Sequence, residues 1–156
     1  MPTSPISTVP QEQQHVSDLI ALMKQEQQLL VAADADGLAT LTPQKDALLQ
    51  ALAELTAQRH AALLAAGCEA SEAGMEPWLA VGGSADARAQ WEQLLQLARE
   101  AKELNRVNGM LINKQLAYNQ GVLNALRMPA SADAGGVYGA SGQALASGPS
   151  KRYVVG

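Results

Sequence analysis

A single long helical pattern constrains the fold of this chain more than any other feature. It runs from about residue 84 to residue 127, and no proline interrupts it before Pro129. An α-helix rises about 1.5 Å per residue, so this segment predicts a rod of roughly 60 Å. The helices predicted upstream are about half as long. We therefore expect part of the rod to project beyond them.

Two shorter helical patterns precede the rod. The first begins near Pro10, and its apolar positions recur at spacings of three and four residues, which predicts one buried face. That face consists of Val16, Ile20, Met23, Gln27 and Leu30. The segment Asp34 to Gly37 offers acidic capping residues and a glycine, which is typical of a junction between helices.

The second helix has two possible starts. It begins at Asp36 and bends at Pro43, or it begins afresh with Thr42 as the cap and Pro43 in the first turn, where a missing N–H costs nothing. We favour a short turn followed by the main helix. Its coiled-coil-like face consists of Leu38, Leu41, Lys45, Leu48, Leu52, Leu55, Arg59 and Ala62. Gly67 is expected to end it.

The connector of residues 68 to 83 contains several glycines and a proline, which break longer helices. It also has an apolar side, made of Met75, Trp78, Leu79 and Val81. That side predicts a short helix docked on the others. Ser84 or Asp86 is expected to cap the long third helix.

The composition agrees with an all-α fold. Hydrophobic residues make up 47% of the chain, yet aromatic residues make up only 3% and phenylalanine is absent. Strands favour aromatic and β-branched residues, whereas this chain is rich in helix formers. We predict an antiparallel helical bundle of three main helices, with a flexible lead at 1–9, a helical domain at 10–128 and a flexible Gly/Ser-rich tail at 129–156.

The third helix carries an unusual number of amide side chains. Asn108 and Gln115 lie on its apolar seam, and Gly109 and Gly121 add a cost in helix stability. One interpretation is that the amides fix helix register and that the glycines permit close helix approach. The other is that this surface recognises a partner. The sequence leaves both open.

Charge and targeting signals exclude several classes of protein. Residues 1–103 hold 6 basic and 14 acidic side chains, a net charge of −8, whereas residues 104–156 hold 5 basic and 1 acidic, a net charge of +4. The basic residues are too dispersed to predict nucleic-acid binding. The chain shows neither a secretory signal nor an apolar run of membrane-spanning length. With a single cysteine, Cys68, it is expected to be soluble and cytoplasmic.

Residues that carry chemistry are sparse. His15 and His60 are the only histidines, and neither lies in a motif with a nucleophile or a metal ligand. Cys68 is followed by Glu69, which does not activate a thiol. We predict that the chain is not an enzyme and needs neither cofactor nor metal.

The pattern resembles the FlgN family of flagellar type III export chaperones. The helical part of the resemblance includes Glu26 to Leu30, Asp34 or Asp36, the leucines of the second helix, Lys45, Arg59, Asn105, Asn108-Gly109, Leu111-Ile112 and Asn119. It closes with Val137-Tyr138-Gly139-Ala140-Ser141-Gly142-Gln143 in the tail. The combination of N-G-x-L-I with Y-G-x-x-G-Q is its most specific part.

This resemblance implies a cytosolic protein that binds the helical termini of hook-associated proteins and delivers them to the flagellar export gate. It implies client binding by the C-terminal helical region and docking on the cytoplasmic domain of the gate through Tyr138, with Gly139 and Gly142 beside it. The expected client-binding residues are Leu104, Val107, Asn108, Leu111, Ile112, Tyr118, Val122, Leu123 and Leu126, with Asn108 orienting the client. The segment Ala130 to Ala134 and the ending Lys151 to Gly156 depart from the family pattern.

A different class of function fits the same helix. The chain is alternatively a structural coiled coil whose long helix pairs with a copy of itself, without a client. An export chaperone is expected to be a monomer or weak homodimer, whereas a scaffold is an obligate oligomer that buries Leu111 and Leu123. The oligomeric state in solution therefore separates the two hypotheses.

Overall fold

The computed structural model describes residues 3–133, and the side chains of residues 3–127. The helices are α1 (Val9–Val31), α2 (Ala35–Ala65), α3 (Met75–Gly82) and α4 (Ala85–Asp133), with a 3₁₀ turn at Glu72–Gly74 before α3. Residues 3–133 contain no strand. The all-α prediction is confirmed. The contacts divide the chain into two units, Met1–Ile112 and Asn113–Gly156.

In the first unit, ion pairs and hydrogen bonds show the direction of each helix. Glu12 of α1 meets Arg59 of α2, and Glu26 meets Lys45, so α1 and α2 run antiparallel. The Gln13 side-chain amide of α1 donates a hydrogen bond to the Gln90 carbonyl of α4 at 2.6 Å. Farther along both α1 and α4, the Asn108 side-chain amide donates to the Met23 carbonyl. This part of α4 therefore runs parallel to α1 and antiparallel to α2, as in an up-down-up bundle.

The junction between α1 and α2 is closed by side-chain capping and by one strained residue. Asp34 accepts a hydrogen bond from the Gly37 N–H at 2.9 Å, which satisfies one of the unpaired donors at the start of α2. The residue in the left-handed region is Ala33, with φ of 54°, and not a glycine. At Gly37 an added Cβ would lie 2.7 Å from the end of the Leu29 side chain and 2.8 Å from the Asp34 carboxylate, so both side chains would have to shift.

The favoured start of the second helix was wrong. Helix α2 is continuous from Ala35, and Pro43 lies inside it, so the alternative that begins before Pro43 describes the chain. The cap at Asp34 and the burial of Leu41 nearby hold the first turns in place despite the missing proline N–H.

The prediction for the end of α2 is confirmed. Gly67 has φ of +81°, a conformation that favours glycine. The Cys68 N–H bonds the Leu63 carbonyl at 2.8 Å, and the Gly67 N–H bonds the Leu64 carbonyl at 3.0 Å. These two bonds form a Schellman motif, which satisfies the last carbonyls of the helix.

The core of the first unit draws on every helix. Its buried members are Val9, Val16, Ile20, Leu63, Met75, Leu79, Ala87, Trp91 and Leu94. The predicted short helix α3 contributes Met75 and Leu79, and Trp78 packs against the cluster. Val81 was wrongly placed on the buried side of α3, since it is 92% exposed.

An ion cluster with Arg59 and Glu12 buried and Glu72 exposed joins α1, α2 and the 3₁₀ turn. The Arg59 guanidinium donates to both oxygens of Glu12 at 2.9 and 3.0 Å and also to Glu72, and it lies 4.8 Å from the centre of the Trp91 ring. Burial opposes the charge of Arg59, but hydrogen bonds to Glu72 and Glu12 outweigh it and raise the pKa of the guanidinium. Burial likewise opposes the charge of Glu72, yet its bonds to Arg59 lower the pKa of its carboxyl.

Candidate partner-binding site

The first stretch of α4 is committed to the bundle core. The Ser84 hydroxyl accepts from the Ala87 N–H at 3.0 Å, so the predicted cap starts the helix. Ala87, Trp91 and Leu94 follow at spacings of four and three and are buried. These residues anchor the first stretch of α4 in the bundle core.

Asn108 lies inside the first unit. Its side-chain amide donates to the Met23 carbonyl and to a Glu26 carboxylate oxygen, both at 2.8 Å, and the residue is only 1% exposed. Lys45 of α2 donates to both oxygens of the same Glu26 at 3.1 and 3.2 Å. Asn108 was also expected to orient the client. This geometry favours the alternative in which Asn108 fixes helix register.

Around Asn108 the predicted site residues are only partly accessible. Leu104, Val107 and Leu111 are half-buried, and Leu104 packs against the core cluster. Ile112 is 40% exposed. The predicted residues of the first unit thus range from half-buried to exposed.

The second unit contains the strongly exposed members of the set. Tyr118 is 72% exposed, Leu123 52% and Leu126 75%, and Val122 is 40% exposed. Leu116 was not among the predicted client-binding residues, but it is 61% exposed and belongs with them. Its spacing of seven residues from Leu123 was the available signal. We call Leu116, Tyr118, Val122, Leu123 and Leu126 the apolar stripe.

The glycines of α4 do not mark close helix contacts in the described structure. A Cβ added at Gly109 or Gly121 meets nothing within 4 Å. The interpretation that these glycines permit close approach therefore lacks support. What they do is lower the intrinsic stability of the helix near the stripe.

Helix α4 ends at Asp133, so the first residues of the segment predicted as a tail, Pro129 included, are helical. The residues expected to dock on the gate, Tyr138, Gly139 and Gly142, lie outside the described residues, as does the rest of the predicted tail.

The described residues offer little else with chemical function. His60 lies 3.9 Å from Glu72, and Cys68 is half-buried beside the core. Within residues 3–133, no group of three or more His, Cys, Asp or Glu side chains is placed to hold a metal ion. In the same range, none of the helices combines the length and apolarity needed to cross a membrane.

Comparison with known proteins identifies the family. A family model described as FlgN protein matches residues 1–146. The flagella synthesis protein FlgN of Proteus mirabilis is 31% identical over 134 residues, which cover 85% of this chain and 84% of that protein. No solved structure matches the chain. The resemblance seen in the sequence is thereby confirmed, and the chain belongs to the FlgN family.

Proposed function

We propose that this protein is a cytoplasmic export chaperone of flagellar assembly. It binds the helical termini of hook-associated proteins and delivers them to the cytoplasmic domain of the flagellar export gate. Membership of the FlgN family, and the name of the Proteus mirabilis relative, support a role in flagellar assembly. The client and the delivery step are our proposal from the site and from the resemblance.

The observation that carries the proposal is the exposure of the apolar stripe. Exposed leucines occurring singly are ordinary, but four large aliphatic residues and a tyrosine within eleven positions of one helix form a concentrated apolar surface. An amphipathic helix of a client buries its own apolar face on such a surface, which removes both faces from water. Leu111 and Ile112 of the first unit remain members of the predicted set of client-binding residues.

Client binding is tested by placing a charge in the stripe. Leu123→Asp is expected to lower the affinity for purified hook-associated proteins by at least tenfold, because the client must then desolvate a carboxylate. Leu64→Asp is the matched control, since Leu64 is 66% exposed on α2 and lies outside the stripe. Titration calorimetry with both variants gives the affinities. Wild-type affinity in Leu123→Asp would reject the proposed client site.

The wild-type chain and the Leu123→Asp variant also distinguish the export chaperone from a self-assembling structural coiled coil. Light scattering of the wild-type chain is expected to give a monomer or weak homodimer. An obligate oligomer that Leu123→Asp dissociates would instead establish the self-assembling coiled coil.

Delivery is tested at the tail tyrosine. Tyr138→Ala is expected to weaken binding to the cytoplasmic domain of the export gate while the affinity for hook-associated proteins stays unchanged. Tyr153→Ala removes the other tail tyrosine and serves as the control. If Tyr138→Ala and Tyr153→Ala bind the gate domain equally well, Tyr138 has no special part in docking.

A further inference from the structure

The apolar stripe is bordered by positive charge. Successive residues of an α-helix are about 100° apart, so the stripe spans roughly 160° of the helix, from Tyr118 on one border to Leu116 on the other. Lys114 precedes Tyr118 by four residues, and Arg127 follows Leu123 by four residues, which places one cation beyond each border.

Among residues 3–127, whose side chains the structure describes, no carboxylate pairs with either of these two cations. Residues 113–127 contain no aspartate or glutamate. Lys114 and Arg127 are exposed, and neither makes an ion pair with any residue in the described part of the chain. Residues 85–112 differ, because their four cations are accompanied by four carboxylates. Two of those cations form ion pairs, Arg88 with Glu76 and Arg106 with Glu103.

We infer that the stripe is built for an amphipathic helix with acidic residues beside its apolar face. This inference rests on the proposed function and states the chemistry of the client segment. Leucine-like residues of the partner cover the stripe, and carboxylates at its borders reach Lys114 and Arg127. The charge pairs select the partner, while the apolar contact supplies the greater part of the affinity.

Charge argues against a second copy of this chain as the occupant. Pairing two stripes, parallel or antiparallel, brings four cations together, and residues 113–127 supply no carboxylate to either side. Like charges across an interface disfavour the pair and suppress wrong partners. The carboxylates of an acidic helix neutralise the positive charge of Lys114 and Arg127, whereas a second copy of the chain doubles that charge.

Two synthetic peptides test the inference with the full-length protein. Both are 18-residue helices with leucines at alternating spacings of three and four, and only the residues flanking the leucines differ, glutamate in one and lysine in the other. By fluorescence anisotropy at 0.1 M salt, the glutamate peptide is expected to bind about five- to tenfold more tightly. In 1 M salt, where the screening length falls to about 3 Å, the preference is expected to shrink.

A charge-reversal variant assigns the preference to the two cations. Lys114→Glu/Arg127→Glu is expected to abolish or invert the preference. Arg99→Glu/Lys102→Glu makes the same change of net charge at exposed positions in residues 85–112 and is expected to keep it. Equal binding of both peptides by the wild type, or equal preference in both double variants, overturns the inference.

The two proposals fail separately. If hook-associated proteins bind the wild type but neither salt nor Lys114→Glu/Arg127→Glu changes their affinity, the charge inference is wrong and the chaperone proposal stands. If the glutamate peptide is preferred but no hook-associated protein binds, the surface chemistry is supported and the proposed clients are wrong. Self-association of the wild type that Leu123→Asp disrupts would overturn the acidic-partner inference.

Discussion

Two stretches of helix α4, residues 85–112 and residues 113–127, have similar apolar spacing but differ in how much of their apolar face is buried. In the first, Trp91 and Leu94 are 3% and 5% exposed. In the second, Leu116 and Leu126 are 61% and 75% exposed. An apolar seam therefore specifies a face of a helix, and the surroundings decide whether that face stabilises the fold or remains accessible to a partner.

The largest expected effect comes from truncating one leucine in each stretch. Leu94→Ala removes a buried side chain and is expected to lower the free energy of unfolding by about 2–5 kcal/mol, because it loses apolar burial and leaves a cavity. Leu123→Ala is expected to change it by less than about 0.5 kcal/mol. Urea denaturation measures both. A comparable loss in Leu123→Ala would mean that the stripe stabilises the fold.

Replacing one asparagine by alanine in each stretch is expected to give the next largest difference in the free energy of unfolding. Asn108→Ala removes both hydrogen bonds of the buried amide and leaves the Met23 carbonyl without that donor, so a loss of about 1–3 kcal/mol is expected. Asn119→Ala replaces an exposed residue with a better helix former and is expected to be neutral or slightly stabilising. Thermal and urea unfolding measure these changes. Equal effects of the two substitutions would remove the distinction between a register residue and a surface residue.

The local signals along the chain were predictable from the sequence. The N-cap of α4 at Ser84 and the C-terminal end of α2 at Gly67 depend only on residues that are close together in the sequence. The sequence pattern therefore predicts both helix ends. The buried faces of α1 and α2 follow the predicted periodicity as well, with Val16, Ile20 and Leu55 buried. These elements are fixed by sequence-local chemistry.

Tertiary partners were not predictable in the same way. Glu12 and Glu26 are charged, and a helical pattern alone assigns such residues to the surface, yet both are buried because Arg59 and Lys45 reach them from α2. Asn108 had two possible roles until the position of Glu26 was known. Pro43 is similar, since its tolerance inside α2 depends on the cap and packing around it.

The smallest expected effect concerns the two glycines of α4. An added Cβ meets nothing within 4 Å at either position, so Gly109→Ala and Gly121→Ala each gain helix propensity of about 1 kcal/mol without a clash. In the bundle-facing stretch, Gly109→Ala is expected to raise the midpoint of global unfolding. Gly121→Ala is expected to slow amide hydrogen exchange within residues 113–127 and to leave the global midpoint nearly unchanged. If both substitutions shift the global midpoint equally, the two stretches of α4 unfold as one cooperative unit, and the stripe is as much a part of the stable fold as Leu94.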